Sequence, residues 1–525
     1  MNTILNSCGK EVFRISPIEQ LRRFMFLGTE AGTYYISERD LTKMNLECLE
    51  SVLQDEGDRG KILDLVKEFS NKAFKKDYII LVLARCCSFR EDTEFRKSAY
   101  SVMLDVCKIP THLFLFLELC EMFNKKYNNS SGWNKIHKGF ICLWYIMKPL
   151  KELVYQCTKY KNRNGWTHRD VFRLCHIKPL DTMYENIYGY FVNGKIETIN
   201  YENNINIDNR AIQYLIEYDK LKNTEDKEFA IEMIKKWNFV REHIPSTLIK
   251  DVDVLNELSQ NMPIIALVRN LNRLTLYGVF DKYPKTLLKI VQHLKDKEFI
   301  RNTGVHPLQF LIALKIYSSG KGDLGNLQWK PIRDIVQALE SAFYSSFENV
   351  EKTNKRYLLA LDVSGSMSCC GNVSGINCLC SSEISCAMAM VIKSAEKNCD
   401  IMGFAQRFKE LDITPEISLE NNLERISYLS FGATDISLPF LWARENNKVY
   451  DVIIVFTDNE TNCNTLKPSA ALNIYREKVS PSAKLIVIAT SANNFSIADP
   501  TDKGMLDIAG FNADTPNVIN EFISL

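Results

Sequence analysis

Three oxygen-bearing side chains on one short turn, Asp362, Ser364 and Ser366 in "LDVSGSM", have the types and spacing to hold a hard cation. Alternate residues of an extended turn aim at one point. They follow "YLLAL" at 357 to 361, which reads as a buried parallel strand because its hydrophobicity does not alternate. The carboxyl end of such a strand is where α/β sheets bind ligands. Two later loops extend the set: Thr434 and Asp435 in "FGATDI", and Asp458 directly after the strand-like "VIIVFT". Mg2+ prefers a near-octahedral oxygen shell and keeps several waters, so two carboxylates and three hydroxyls suit it. No nucleophile-base pair accompanies these oxygens, so binding rather than catalysis is expected and no catalytic residue is assigned.

The same stretch carries Cys369, Cys370, Cys378, Cys380 and Cys386. Structural zinc sites use well-spaced cysteine pairs, whereas an adjacent pair and a C-x-C on a Gly/Ser-rich loop converge poorly on a tetrahedral centre. A hard cation would ignore the sulfurs. The 16 cysteines, in a chain with no visible secretion signal, read as reduced thiols.

A second chemistry lies between residues 148 and 178. Lys148, Lys151, Lys159, Lys161, Arg163, Arg169, Arg173 and Lys178 face only Glu152 and Asp170 there. Thr167 can cap a helix with Asp170 three residues on, and Arg169, Arg173 and His176 then recur on one face before Pro179. Such a face suits phosphate, and Tyr155, Tyr160 and Trp166 offer rings for unpaired bases or for core packing. Further polar groups are Arg241, Glu242 and His243 in "VREHIP", and Arg269, Asn270 and Arg273 in "MPIIALVRNLNRLT". None of the seven histidines has catalytic zinc spacing.

The elements that must position these groups fall into two patterns. From about residue 40 to 345, apolar residues recur at helical spacing, as in "THLFLFLELCEMFNKKYN" and "LQFLIALKIYSSG". "YGYFVNGKIETI" is a strand candidate, with Asn193-Gly194 suiting a hairpin. So many consecutive helices suggest pairs stacked in an arc or ring. After residue 355, short Val/Ile/Leu-rich strands alternate with helices, which predicts a parallel sheet covered on both faces. The chain is thus read as multidomain, with an all-α region over 1–355 and a Rossmann-like α/β domain over 356–525. Lys plus Arg (65) nearly cancel Asp plus Glu (64), so any basic surface must be local. No apolar run reaches the roughly 18 residues of a membrane span and no signal segment is visible, so a cytoplasmic protein is expected, with nuclear presence left open.

The serine-aspartate turn and its partner loops resemble the metal-ion-dependent adhesion site of von Willebrand factor type A domains. The resemblance implies that Asp362, Ser364, Ser366, Thr434 and Asp458 hold Mg2+ or another divalent cation, leaving a position for water or a protein partner's carboxylate. Asn459 stands where that family commonly has glycine.

Most of the chain resembles the Ro autoantigen family, through "RRFMFLGTEAGTYY", "NGWTHRDVFRLCHIKP", "REHIP", "MPIIALVRNL", "HPLQFLIALKIYSSGKG", "LQWKPIRDIVQALESAFY" and "RYLLALDVSGSM", in that order. The resemblance implies a HEAT-like (TROVE-like) helical-repeat ring closed by the type A domain, monomeric and away from membranes. It implies Y RNAs on a basic outer surface, single-stranded 3′ ends of misfolded RNAs in a central hole, and a role in RNA quality control and stress survival. Lys161, Arg163, His168, Arg169, Arg173, His176 and Lys178 fall in the family's Y RNA segment, and Arg241, His243, Arg269 and Asn270 near the hole or its support. Asn272 replaces a glycine common in the family, so the local backbone is expected to differ. The alternative is a Mg2+-dependent protein-interaction adaptor with the helices as scaffold; the basic run around Arg169 favours RNA.

Overall fold

The computed structural model describes residues 3–5, 11–14, 16–27, 38–70, 76–194, 210–322, 326–368, 378–427, 434–458, 466–489, 495–499, 502, 504–509, 519 and 522–523. An N-terminal all-α region precedes a mixed α/β region. By packing, the chain forms two compact units. One comprises Leu53–Asn71 and Lys76–Thr286, and the other gathers Met1–Val52, Lys72–Lys75 and Leu287–Leu525.

The first unit is built from helices punctuated by side-chain caps. Asp55, Asp92, Asn134, Asp181, Asp226 and Asp251 each accept N–H bonds from the first turn of the helix that follows, satisfying donors with no intrahelical partner. Neighbouring helices then bury their apolar faces on one another; Lys76–Ser88 packs on both Thr93–Val106 and Pro110–Asn128.

The predicted hairpin at Asn193-Gly194 is not there. Thr182–Asn193 is a helix, and Gly194 ends it in the left-handed region, its N–H donating to the Tyr190 carbonyl. Aromatic-rich residues that look strand-like are helical because Asp181 caps them and Met183, Ile187, Tyr188 and Tyr190 are buried. The other Asn-Gly pair makes the hairpin: Asn164 (φ 52°) and Gly165 (φ 78°) join Asn162–Arg163 to Trp166–Thr167, as a type I′ turn requires.

In the second unit the described residues form a six-stranded sheet ordered Met505–Ala509, Lys484–Ala489, Val452–Thr457, Arg356–Asp362, Asn398–Phe404, Phe408–Glu410, parallel except for the last strand. The strands read as continuous apolar runs because both faces are covered. Leu358, Ala360, Ile453, Val455, Leu485 and Val487 share one core with Phe440, Leu472 and Tyr475 of the covering helices. The chain leaves Arg356–Asp362 toward one edge and later returns to Val452–Thr457 on its other side, so these two strands flank the topological switch. Residues before the helical region join this unit: Thr3–Leu5 pairs with Glu11–Arg14, which also pairs with Phe495–Ser496. Helix Pro307–Ser318 is tied to Ser381–Ala395 by a Lys315–Glu383 ion pair of 2.9 Å. Among the described residues no helix is long and apolar enough to cross a membrane.

In the first unit, Asp253 joins three elements. Lys227, Lys282 and Tyr283 all donate to its carboxylate, which holds the carboxyl below the usual carboxylate range. Because the folded pKa is depressed, this stabilisation is complete above about pH 4 and is lost as pH falls through the folded value. Asp253→Asn should lower the thermal midpoint at pH 7 by roughly 2–4 °C. The gap from the parent should shrink as the pH is taken below 4; a pH-independent gap in circular dichroism melts would contradict the assignment.

Candidate nucleic-acid interface and metal site

Helix His168–Cys175 starts at a complete capping box. Thr167 Oγ1 accepts the Asp170 N–H, and the Asp170 carboxylate accepts the Thr167 N–H at 3.0 Å. Its inner face is His168, Val171, Phe172 and Cys175, all buried. On the outer face Arg169 and Arg173 are exposed one turn apart, followed by exposed His176, which ends the helix at φ 52°. Lys161, Arg163 and Lys178 are exposed as well, with Lys161 Nζ 5.2 Å from the Tyr218 ring centre.

The structure therefore places one member of the expected set differently. His168 is only 4% exposed. Its Nδ1 accepts the Tyr145 hydroxyl at 2.9 Å, and its Nε2–H donates to the Tyr160 carbonyl at 3.0 Å. Burial pushes its pKa down to about 4, so the ring is neutral and offers a ligand nothing. It fixes the helix that presents Arg169 and Arg173.

His243, in a motif expected near the hole or its support, is a second anchor of this kind and is fully buried. Nδ1 accepts the Val240 N–H at 3.1 Å, and Nε2–H faces Thr158 Oγ1 and the Tyr214 hydroxyl, each at 3.2 Å. Thr158 Oγ1 donates its own proton to the Val154 carbonyl, so it can accept. Burial, then the charges of Lys161 and Lys159, lower the His243 pKa to about 3. The ring thereby locks the 3-10 turn Arg241–His243 onto two helices.

That turn forms one wall of a cleft of about 560 Å³. Arg241, Arg269 and Asn270 line it, and so do Lys159, Arg273 and Asn272. The first three were in the expected set; the last three were not assigned to it, although Arg273 lies one helical turn from Arg269 and shares its face. Asn272 does not disturb the backbone, because helix Ile264–Leu276 runs through it and its Oδ1 accepts the Arg273 N–H.

In the sheet unit, Asp362 ends its strand beside Thr457, one step beyond the Leu361–Phe456 register pair. Its Oδ1 accepts the Ser364 N–H at 2.9 Å and its Oδ2 the Thr457 hydroxyl at 3.0 Å. Ser364 and Ser366 Oγ atoms lie 3.1 Å apart. Burial first, then the charge of Asp458, raise the Asp362 pKa to about 7. Asp362, buried, and Asp458, half-buried, bring two carboxylates near hydroxyl oxygens, a donor set that fits a hard divalent cation. Thr434 is buried nearby in sequence to Asp435, whose Oδ1 is committed to the Ser437 N–H and hydroxyl. Asn459, Cys369 and Cys370 lie outside the described residues. Cys380 is disulfide-bonded, so it cannot serve zinc as a thiolate, whereas the other eleven described cysteines, Cys378 and Cys386 among them, are free thiols as expected. Among the described residues no group of three or more His, Cys, Asp or Glu side chains is placed to hold a metal; a site of two carboxylates and hydroxyls would not form such a group.

Comparison with known proteins covers both units. The TROVE domain family matches residues 4–316, and the Ro60 vWA domain family matches residues 356–523. A Caenorhabditis elegans relative named RNA-binding protein RO60 is 32% identical over 581 residues, spanning 99% of this chain and 90% of its own. Its Deinococcus radiodurans namesake is 31% identical over 520 residues, spanning 99% and 95%. The crystal structure of the Deinococcus radiodurans RO (RSR) protein superposes with a TM-score of 0.76 at 30% identity, over 97% of this chain and 99% of that one.

The anchor assignment has a pH signature. With the folded pKa of His168 below its ordinary value of about 6.5, the unfolded chain takes up the proton first. The anchor's contribution is complete above about pH 6.5 and is lost as pH falls toward 4. His168→Gln should destabilise the protein by about 1–3 kcal/mol at pH 7, the cost of disturbing buried hydrogen bonds. Its thermal midpoint should also fall less steeply than the parent's between pH 7 and 4.5. Parallel curves would mean that His168 does not titrate with unfolding.

Proposed function

The chain belongs to the Ro60 family of proteins with a TROVE domain and a vWA domain, and on that premise we propose that it is a non-catalytic RNA-binding protein. In this reading small structured non-coding Y RNAs lie on the basic face of helix His168–Cys175. Single-stranded 3′ ends of misfolded RNAs engage the second basic site, which contains Arg241, Arg269 and Asn270. The activity serves RNA quality control and stress survival. The carrying observation is the pair Arg169 and Arg173, exposed at one-turn spacing on a helix pinned by a neutral imidazole. Among the described residues neither guanidinium group has a carboxylate in contact, which leaves both to backbone phosphates, and Lys161, Arg163, His176 and Lys178 extend the charge.

Charge contacts of this kind displace counterions, so log affinity falls with log salt by roughly 0.7–0.9 per phosphate neutralised. Arg169→Ala/Arg173→Ala should weaken a structured small RNA and reduce that slope by about 1–2, with an unaltered circular dichroism spectrum. An unchanged affinity and slope would reduce the helix to a solvated surface.

The two carboxylates, Asp362 buried and Asp458 half-buried, favour a second activity in the vWA domain. Asp362, Ser364, Ser366, Thr434 and Asp458 would hold Mg2+, which when bound supplies positive charge to an acidic protein ligand. Asp362 and Asp458 would neutralise the ion, while Thr457 and the Ser364 N–H keep Asp362 oriented. Asp362→Ala and Asp458→Ala should each weaken Mg2+ binding at least tenfold in calorimetry, since hydroxyls alone hold the ion poorly. Structured-RNA affinity should stay within about twofold, the ordinary scatter for an uncoupled site. Mg2+ binding that survives both changes would move the metal elsewhere.

A further inference from the structure

The cleft beside the Arg241–His243 turn has features that a merely basic surface does not need. Its volume of about 560 Å³ falls in the range of pockets that enclose a drug-sized molecule, a class that includes a mononucleotide. Lys159, Arg241, Arg269 and Arg273 line it against a single lining carboxylate, Glu242. Elsewhere on helix Lys227–Trp237, lysines find acids: Lys227 with Asp253 at 2.7 Å, Lys235 with Glu257 at 3.6 Å and Lys236 with Glu217 at 3.9 Å. Arg241, half-buried beside Arg273, has no such contact among the described residues. Arg241 and Arg273 set like charges close together with Glu242 the one carboxylate in the lining, a net positive cleft that suits an anion.

The remaining lining is suited to a base. Asn270 Nδ2 donates to the Ala266 carbonyl at 2.8 Å, which leaves its Oδ1 as an acceptor. Asn272 Oδ1 accepts the Arg273 N–H at 2.8 Å, which leaves its Nδ2 as a donor. Asn270 thus offers an acceptor of the kind that meets a nucleobase edge, while Asn272, two residues on, stands on the other flank of the helix face that carries the arginines. The Tyr155 ring lines the same space, its centre 5.5 Å from Lys159 Nζ, and gives a plate on which a base can stack.

We infer that this cleft is a single-nucleotide pocket, holding one nucleoside 5′-phosphate with its phosphate on Arg241 and Arg273 and its base on Tyr155 and the Asn270 amide. The inference deepens the RNA reading, on which it rests for the second basic site, by fixing what that site recognises. The nucleotide can come from an RNA strand or from the free pool, since the chemistry of the two is the same.

The test is calorimetry of the full chain with each of the four 5′-mononucleotides and with inorganic phosphate. At least one mononucleotide should bind with unit stoichiometry and at least tenfold more tightly than phosphate. Arg273→Ala should weaken it at least tenfold, Arg241→Ala should do the same, and Asn270→Ala should narrow the preference among bases. Arg169→Ala/Arg173→Ala should leave it unchanged. A short single strand that displaces the mononucleotide identifies the ligand as a strand nucleotide; simultaneous binding identifies a free nucleotide, and either supports the pocket. Mononucleotides binding no better than phosphate, or not at all, overturns it. If single strands still bind and lose affinity in Arg273→Ala, the RNA reading stands while the pocket falls. If mononucleotides bind and no RNA does, the pocket stands and the RNA reading falls.

Discussion

The imidazoles of His168 and His243 each commit one nitrogen to accept and the other to donate, inside a dry aromatic surrounding. Both must remain uncharged for this to hold. A proton on the second nitrogen would turn an acceptor into a donor aimed at another donor, and would add charge where water cannot screen it. For His243 the cost is higher, because Lys159 and Lys161 already raise the local potential. The basic surface thus depends on two groups that carry no charge. Each imidazole is consecutive with, or two residues from, the arginine it helps to present: His168 beside Arg169, and His243 after Arg241.

Like charges are brought near one another, with opposite sign, in the two units. In the helical unit, Arg241 and Arg273 lie near each other with one carboxylate lining their cleft. In the sheet unit, Asp362 and Asp458 oppose each other around a strand end. Ion pairs elsewhere show that the sequence can pair charges when nothing else is required: Arg356 with Asp451 at 2.6 Å, and Arg59 with Asp92 at 3.1 Å. Arg241 and Asp362 both stand at the ends of rigid elements, a helix-supported turn and a parallel strand, which can hold like charges near one another.

Much of this is readable from the chain, because the signals are local. The change from helical to strand spacing after residue 355 and the Thr167–Asp170 cap depend on residues close in sequence. The role of His168 was legible too, though it was read as a contact: 168, 171, 172 and 175 follow the spacing of a buried stripe, while 169, 173 and 176 take the opposite face. Residue type drew attention to the histidine, and position decides what it does. Asn-Gly at 193 misled for the complementary reason, since glycine in the left-handed region ends helices as readily as it turns hairpins. What could not be read is which distant segments meet. The cleft takes Lys159, Arg241 and Arg273 from three separate stretches, and pairing of Glu11–Arg14 with Phe495–Ser496 spans nearly the whole sequence.

The walls of the cleft are braced by the fold around them. Helices Lys227–Trp237 and Val252–Gln260 contribute Ile234 and Leu258 to it, and Asp253 ties both helices to Val279–Lys282 and Tyr283 through hydrogen bonds that strengthen because the acceptor is charged. On the opposite side Thr158 and Tyr214 hold His243, and so the turn that carries Arg241. A pocket braced from both directions does not have to be ordered by its ligand, so the ordering cost of binding is met during folding.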